Sequence, residues 1–236
     1  MDYPTALRRG TLLARRKRFL ADVRLDNGDM VVAHCPNTGS MMGVADPGCP
    51  VWLLHQPGPT RRLDWTWELT ELPDGTLAGV NTHRSNALVR EALALGTIPA
   101  LSGYARIQAE TRYGVEGSRA DFLLGGGPGP DCVLEVKNVT AAVSDGVAVF
   151  PDAVSARGTR HLRELAREAA AGRRAVLLFC VQRDDVVEVR PADAIDPLYG
   201  RTLREAVAAG LEVMAWGARP TPTAVRLARQ LRFLAP

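Results

Sequence analysis

The fold and the chemistry of this chain both turn on residues 110–137, Glu-Thr-Arg-Tyr-Gly-Val-Glu-Gly-Ser-Arg-Ala-Asp-Phe-Leu-Leu-Gly-Gly-Gly-Pro-Gly-Pro-Asp-Cys-Val-Leu-Glu-Val-Lys. Gly125–Asp131 is too rich in Gly and Pro to be strand and reads as a turn joining two strands. Pairing Leu124 with Cys132 across it places Asp121 opposite Glu135. Gly114–Gly117 is a second turn, and pairing Tyr113 with Ser118 places Glu110 opposite Asp121. Three carboxylates from three adjacent strands then stand side by side, with strands about 4.8 Å apart. Like charges directly opposite one another destabilise a sheet, and a hard divalent cation with oxygen ligands offsets them. Side chains alternate along a strand, so Lys137 shares the face of Glu135 two residues on.

The competing reading is a solvated sheet face with diagonal pairs, Arg119 with Glu135 and Asp121 with Lys137, each worth about 0–1 kcal/mol. Lysine usage bears on the choice. Of 29 Lys and Arg residues only Lys17 and Lys137 are lysines. A composition tilted to Arg keeps a Lys where a compact ammonium is needed, since Arg is a planar fork that stays protonated. On the residues alone, a hard divalent cation held by Asp121, Glu135 and Glu110 stands beside the solvated face as an open alternative.

Outward from this stretch, the C-terminal part alternates strand and helix. A helix capped by Thr82 or Ser85 stops at Gly96, and strands follow at Tyr104–Tyr113, Arg119–Leu124 and Cys132–Val139. A helix spans about Ala156–Ala171. The continuous apolar run Ala175–Val181 reads as a buried central strand. A strand at Val186–Arg190, a helix at Pro197–Ala209, a strand at Leu211–Trp216 and a short terminal helix complete the expectation. The N-terminal part reads as five short β-rich segments, Thr11–Leu25, Met30–His34, Val51–His55, Trp65–Leu72 and Thr76–Val80. Turn formers separate them, as in a five-stranded oligonucleotide-binding (OB) barrel. The chain of 236 residues is thus an α/β (α+β) protein, with a barrel at 1–81 and an α/β domain with a mixed central sheet at 82–236.

Charge is uneven along this frame. Residues 1–20 hold Arg8, Arg9, Arg15, Arg16, Lys17 and Arg18 against Asp2 alone, while residues 21–80 hold three basic and eight acidic side chains. A basic block of this kind meets phosphate or is simply a solvated strand. Phe19, Trp52, Trp65 and Trp67 stack bases or, the reading favoured here, pack the barrel core. On the helix after the motif, Arg157, Arg160, His161, Arg163 and Arg167 hold a nucleic-acid backbone or pair with Glu164 and Glu168 on an exposed face. The loop His34–Met41 offers Asn37, Thr38 and Ser40 to a phosphate or is a turn around Gly39. Cys35, Cys49, Cys132 and Cys180 form no disulfide or common zinc spacing. No apolar run reaches the roughly 18 residues that span a bilayer, and no leader pattern opens the chain. A reduced cytoplasmic protein without a membrane partner is expected. Nothing points to a small-molecule substrate, and the oligomeric state is not legible.

Several segments carry a resemblance. Ser118–Leu124 followed by Glu135-Val136-Lys137 resembles the PD-(D/E)xK nuclease superfamily of metal-dependent enzymes. The whole chain resembles the bacterial and archaeal sugar fermentation stimulation protein family, through His34–Met41, Val80-Asn81-Thr82, Glu135–Thr140, Phe150–Val154 and Arg157–Leu165. The resemblance implies an N-terminal OB barrel, a C-terminal nuclease-like domain, non-specific DNA binding and a role in regulating sugar (maltose) metabolism. It matches Asp121 and Glu135 to metal ligands, Lys137 to the catalytic lysine and Glu110 to an acidic residue from an earlier element. This implies Mg²⁺ or Mn²⁺ lowering the pKa of a bound water and neutralising phosphate charge, with Lys137 positioning or deprotonating that water. A DNA-binding regulator with a silent nuclease site is the alternative. A sugar-processing enzyme is suggested by the family's name alone.

Overall fold

The computed structural model describes residues 1–127, 129–144 and 146–235. The first five strands, β1 (Arg8–Arg16), β2 (Leu20–Leu25), β3 (Met30–His34), β4 (Pro50–His55) and β5 (Trp65–Glu71), form a closed barrel. Neighbours pair antiparallel, and a parallel β3–β5 pairing at Ala33–Trp65 and His34–Thr66 shuts it. The expected segment Thr11–Leu25 is two strands rather than one. Its hairpin turns at Lys17 and Arg18, both in the left-handed region at φ 51° and 65°, where a tight turn between right-twisted strands needs positive φ. Leu12, Val23, Val51, Leu53 and Trp67 fill the barrel with no exposed surface, each aliphatic burial contributing roughly 1.5–3 kcal/mol. Trp67 is therefore core, as favoured from the sequence, and its indole N–H donates to the Leu69 carbonyl at 2.9 Å. The fifth expected segment, β6 (Leu77–Gly79), lies outside the closed ring and extends β5.

The rest of the chain runs α1 (Arg84–Ala94), β7 (Arg106–Tyr113), β8 (Ser118–Gly125), β9 (Cys132–Val139), β10 (Ala142–Ser144), β11 (Val147–Phe150), α2 (Ala156–Ala170), β12 (Arg174–Val181), β13 (Glu188–Pro191), α3 (Pro197–Ala208), β14 (Glu212–Pro220) and β15 (Val225–Phe233). The strands form one mixed nine-stranded sheet in the order β10-β11-β13-β15-β14-β12-β9-β8-β7. β12 is central and parallel to both β9 and β14, which accounts for its uninterrupted apolar run. One sheet face packs on α1 and on barrel residues Leu54 and Leu69. The other packs on α2 and α3.

One further expectation is corrected. The terminal helix is the strand β15, antiparallel to β14. Val225, Leu227 and Leu231 are buried, with Arg226, Ala228 and Gln230 exposed between them, which is period-2 burial set by the partner strand. The hairpin β10–β11 was not anticipated: its strands are three and four residues long, too short to show a period. The turn expected at Gly125–Asp131 joins β8 to β9, with Pro128 lying outside the described residues.

Candidate active site

Both registers inferred across the turns are present. β8 and β9 pair at Leu124–Cys132, Leu123–Val133 and Phe122–Leu134. β7 and β8 pair from Tyr113–Ser118 to Arg106–Gly125 without a shift. At the next step the β8–β9 ladder gives way to a side chain: Asp121 Oδ2 accepts the Val136 N–H at 2.7 Å. Its Oδ1 accepts from the Asn86 amide on α1, also at 2.7 Å. Burial, and secondarily the charge of Glu135, pushes the Asp121 carboxyl above its ordinary range.

Glu135 is 3% exposed. Its Oε1 takes the Lys137 ammonium at 2.6 Å and the His161 Nδ1 in a short contact. Burial raises its carboxyl, but the His161 hydrogen bond and the Lys137 charge outweigh burial and hold it below the ordinary range. Glu135 Oε2 is buried with no partner. A buried acceptor left unpaired costs about 1–3 kcal/mol, so this oxygen is the natural point of attachment for a ligand. The diagonal pairs Arg119–Glu135 and Asp121–Lys137 are not formed. His161, on the buried face of α2, also accepts from Arg157 at 3.4 Å. The structure therefore gathers Asp121, Glu135, Lys137, His161 and Arg157.

Glu110 stands opposite Asp121 in register but is exposed. Among the described residues no three His, Cys, Asp or Glu side chains come together as a closed metal set. Glu110 nevertheless holds φ at 54°. For a residue other than glycine this costs of order 1–3 kcal/mol, and such strain clusters at functional sites.

The remaining basic residues divide. Arg9 pairs with Glu71 and Arg16 with Asp22. Arg15 donates to the carbonyls of Asn37 and Gly39 at 2.8 and 3.0 Å, so it holds the His34–Met41 loop. Arg8, Lys17 and Arg18 are exposed. Arg163 and Arg167 both pair with Glu116, in the β7–β8 turn. Arg160 is half-buried, and its Nε is without a partner. Beside the Lys17–Arg18 turn, Phe19, His34, Arg61 and Arg62 line a cleft of about 450 Å³.

Sequence reasoning missed a polar seam between barrel and sheet. Asn138 Oδ1 accepts from Ser85 at 2.8 Å and from Gln182 at 2.6 Å, and Gln182 also donates to the Asn81 carbonyl. Thr82 donates to the Pro36 carbonyl and Ser40 to Asp152. Asn86 and Gln182 lie in segments with no chemical pattern, so only their contacts reveal them. Asn37, Ser40, Asn138 and Asp152 fall in the segments that carried the family resemblance, and the fold brings those segments to one junction.

The family description "SfsA N-terminal OB domain" matches residues 13–80, and "Sugar fermentation stimulation protein RE domain" matches residues 83–224. The sugar fermentation stimulation protein homolog of Alkalilimnicola ehrlichii is 57% identical over 98% of both chains. That of Geobacter sulfurreducens is 54% identical over 100% of this chain and 99% of its own. A solved structure described as Pyrococcus furiosus SfsA in complex with Ca²⁺ is 25% identical. It superposes with a TM-score of 0.88 over 99% of this chain and 98% of that one.

Proposed function

The chain belongs to the sugar fermentation stimulation protein family, and we propose that it is a divalent-metal-dependent phosphodiesterase acting on DNA. The observation that carries this reading is the buried, unpartnered Glu135 Oε2, on a residue 3% exposed whose other carboxylate oxygen is saturated, next to Asp121. Two facing carboxylates with a free buried oxygen fit a hard divalent cation, and the Pyrococcus furiosus relative is described with Ca²⁺. Asp121 and Glu135 would hold the ion, with Glu110 joining from the solvent side. When bound, Mg²⁺ or Mn²⁺ supplies charge neutralisation at the phosphate and a lowered pKa for the attacking water.

The chain's own residues do the rest. Lys137 pins Glu135 Oε1, so the free oxygen keeps one orientation. Its Nζ, on a side chain 15% exposed, is the cation that meets charge developing on the phosphate. His161 braces the same carboxylate from α2, and Arg157 follows it toward solvent. Arg8, Lys17 and Arg18 on the barrel, with Phe19, His34 and Arg61 beside them, give DNA a basic and aromatic approach surface.

The test is cleavage of duplex, branched and single-stranded DNA with Mn²⁺ or Mg²⁺. Wild type is expected to cut at least one of these. Lys137→Ala, Asp121→Asn and Glu135→Gln are expected to lose activity by about 10²-fold or more. Wild type inert on all three substrates, or variants that cut equally well, overturns the reading. DNA binding that survives without any turnover marks the protein as a regulator with a silent site.

A further inference from the structure

Two residues beyond Lys137, a cavity of about 330 Å³ opens where the barrel loop, the end of β9 and the start of α2 meet. Val149, Phe150 and Pro151 form an apolar wall, and Asn37, Thr140 and Asp152 supply polar atoms around it. Each polar group has one end engaged and one end available. Asn37, 5% exposed, uses Oδ1 to accept the Gly39 N–H at 2.9 Å, leaving its amide nitrogen. Thr140, also 5% exposed, accepts from Asn138 at 2.9 Å, leaving its hydroxyl proton. Asp152 Oδ2 accepts from Ser40 at 3.3 Å, leaving Oδ1. The arrangement is close-fitting: a Cβ on Gly39 would run into the Asp152 carboxylate.

Of the lining side chains, Asn37 and Thr140 offer neutral donors and Asp152 an anionic acceptor, against an apolar wall in which the Phe150 ring itself packs on Phe179 and Tyr199. No Lys, Arg or His lines the cavity among the described residues, and a phosphate inside it would face Asp152 unpaired. The complementary ligand is a flat, uncharged ring with both N–H and carbonyl edges. Val139 lines the cavity, two residues beyond Lys137 on the same strand and face, about 7 Å further along at strand spacing. Its volume is at the lower end for small-ligand sites, enough for one ring system.

We infer that this cavity receives a single unstacked nucleobase of the nucleic acid whose phosphate lies at Lys137, an inference that rests on the phosphodiesterase reading above. A base reaches such a pocket only by leaving its stack, which costs a few kcal/mol in a paired duplex and least where the nucleotide is already unpaired. The substrate class is therefore nucleic acid carrying an unpaired or mismatched nucleotide, with Asn37, Thr140 and Asp152 reading the base edge.

The experiment compares binding of a duplex with one bulged nucleotide to the same duplex with that nucleotide made abasic. Fluorescence anisotropy in Ca²⁺ is the readout, and it requires no turnover. Wild type is expected to hold the base-containing bulge five- to tenfold more tightly. Asn37→Ala and Asp152→Asn are expected to bring that ratio to one while leaving affinity for the abasic duplex unchanged. Equal wild-type binding of the two duplexes overturns the pocket and leaves the nuclease reading to the Lys137→Ala comparison. Binding of neither duplex overturns both. Calorimetric binding of maltose that Asp152→Asn abolishes makes the cavity a sugar site and also overturns the inference.

Discussion

Glu68 carries a charge into the seam between the two halves of the protein and is 1% exposed. Arg84 at the start of α1 meets both its oxygens, at 3.0 and 2.7 Å, and the Asn81 amide meets them as well. Breaking a buried pair by removing one partner leaves an uncompensated charge and costs about 3–5 kcal/mol. Because Arg84 keeps some exposure, Glu68→Ala is expected to lower unfolding stability by about 3 kcal/mol, read from urea denaturation. The thiols offer a second expectation. Burial pushes Cys49 up to about 11 and both Cys132 and Cys180 up to about 12, against about 8.5 for a free thiol. The folded state thus favours the protonated thiol, and that contribution to stability is present below about pH 8.5 and lost as pH rises beyond it. At pH 8 the native protein should react with iodoacetamide orders of magnitude more slowly than the denatured chain, and mass spectrometry should find four modified thiols after denaturation. At this scale Asp121, Glu135 and Lys137 were legible because two turns set the register that aligns the two carboxylates, and strand alternation put Lys137 on the same face. Asn86 was not legible: an Asn in a helix becomes a partner of Asp121 only once α1 packs over β9 and β15.

The β7–β8 hairpin shows how an element is held in place by another. Glu116 in its turn is gripped by Arg163 and Arg167 of α2, and its N–H reaches the buried Glu164 at 3.4 Å. Gly114 permits this approach. Its φ is +69°, and a Cβ there would overlap Glu164 Oε2. Gly114→Ala combines a left-handed backbone cost of about 1–2 kcal/mol with displacement of a buried carboxylate. A loss of at least about 2 kcal/mol and a lower thermal midpoint are expected. The arginines of α2 illustrate what a helical pattern leaves open. Their spacing to Glu164 and Glu168 suggests pairing within the helix, and Arg167 does meet Glu164 there, yet Arg163 and Arg167 also both reach Glu116 on another element. β15 makes the same point more strongly. Its short arginine-rich sequence suits a helix as well as a strand, and the open edge of β14 decides in favour of the strand.

Across the whole molecule, the barrel and the sheet share one apolar contact face and one polar seam, so the basic turn at Lys17–Arg18 is carried on the same body as the carboxylate site. If DNA crosses that turn, binding should weaken with salt in proportion to the phosphates neutralised, about 0.9 in logarithmic slope for each. Lys17→Asn with Arg18→Gly keeps residues that tolerate positive φ and removes two charges. The double variant is expected to lower the slope by about 2 in an anisotropy titration against NaCl, and an unchanged slope takes the turn out of the interface. The sequence by itself determined the order of strands and helices over most of the chain, the barrel-then-sheet architecture, the central position of β12 and the β8–β9 register that sets Asp121 level with Glu135. These follow from local causes: turn residues, period-2 alternation, helix stops and an unbroken apolar run. Only the tertiary structure decided that Glu135 keeps one oxygen unpaired, that His161 braces it from α2, that Arg15 organises a loop instead of facing solvent, and that distant segments close a cavity beside Lys137. Each of these depends on which surfaces come together when apolar faces are buried, and contacts between residues 22 to 112 positions apart leave no period in the chain.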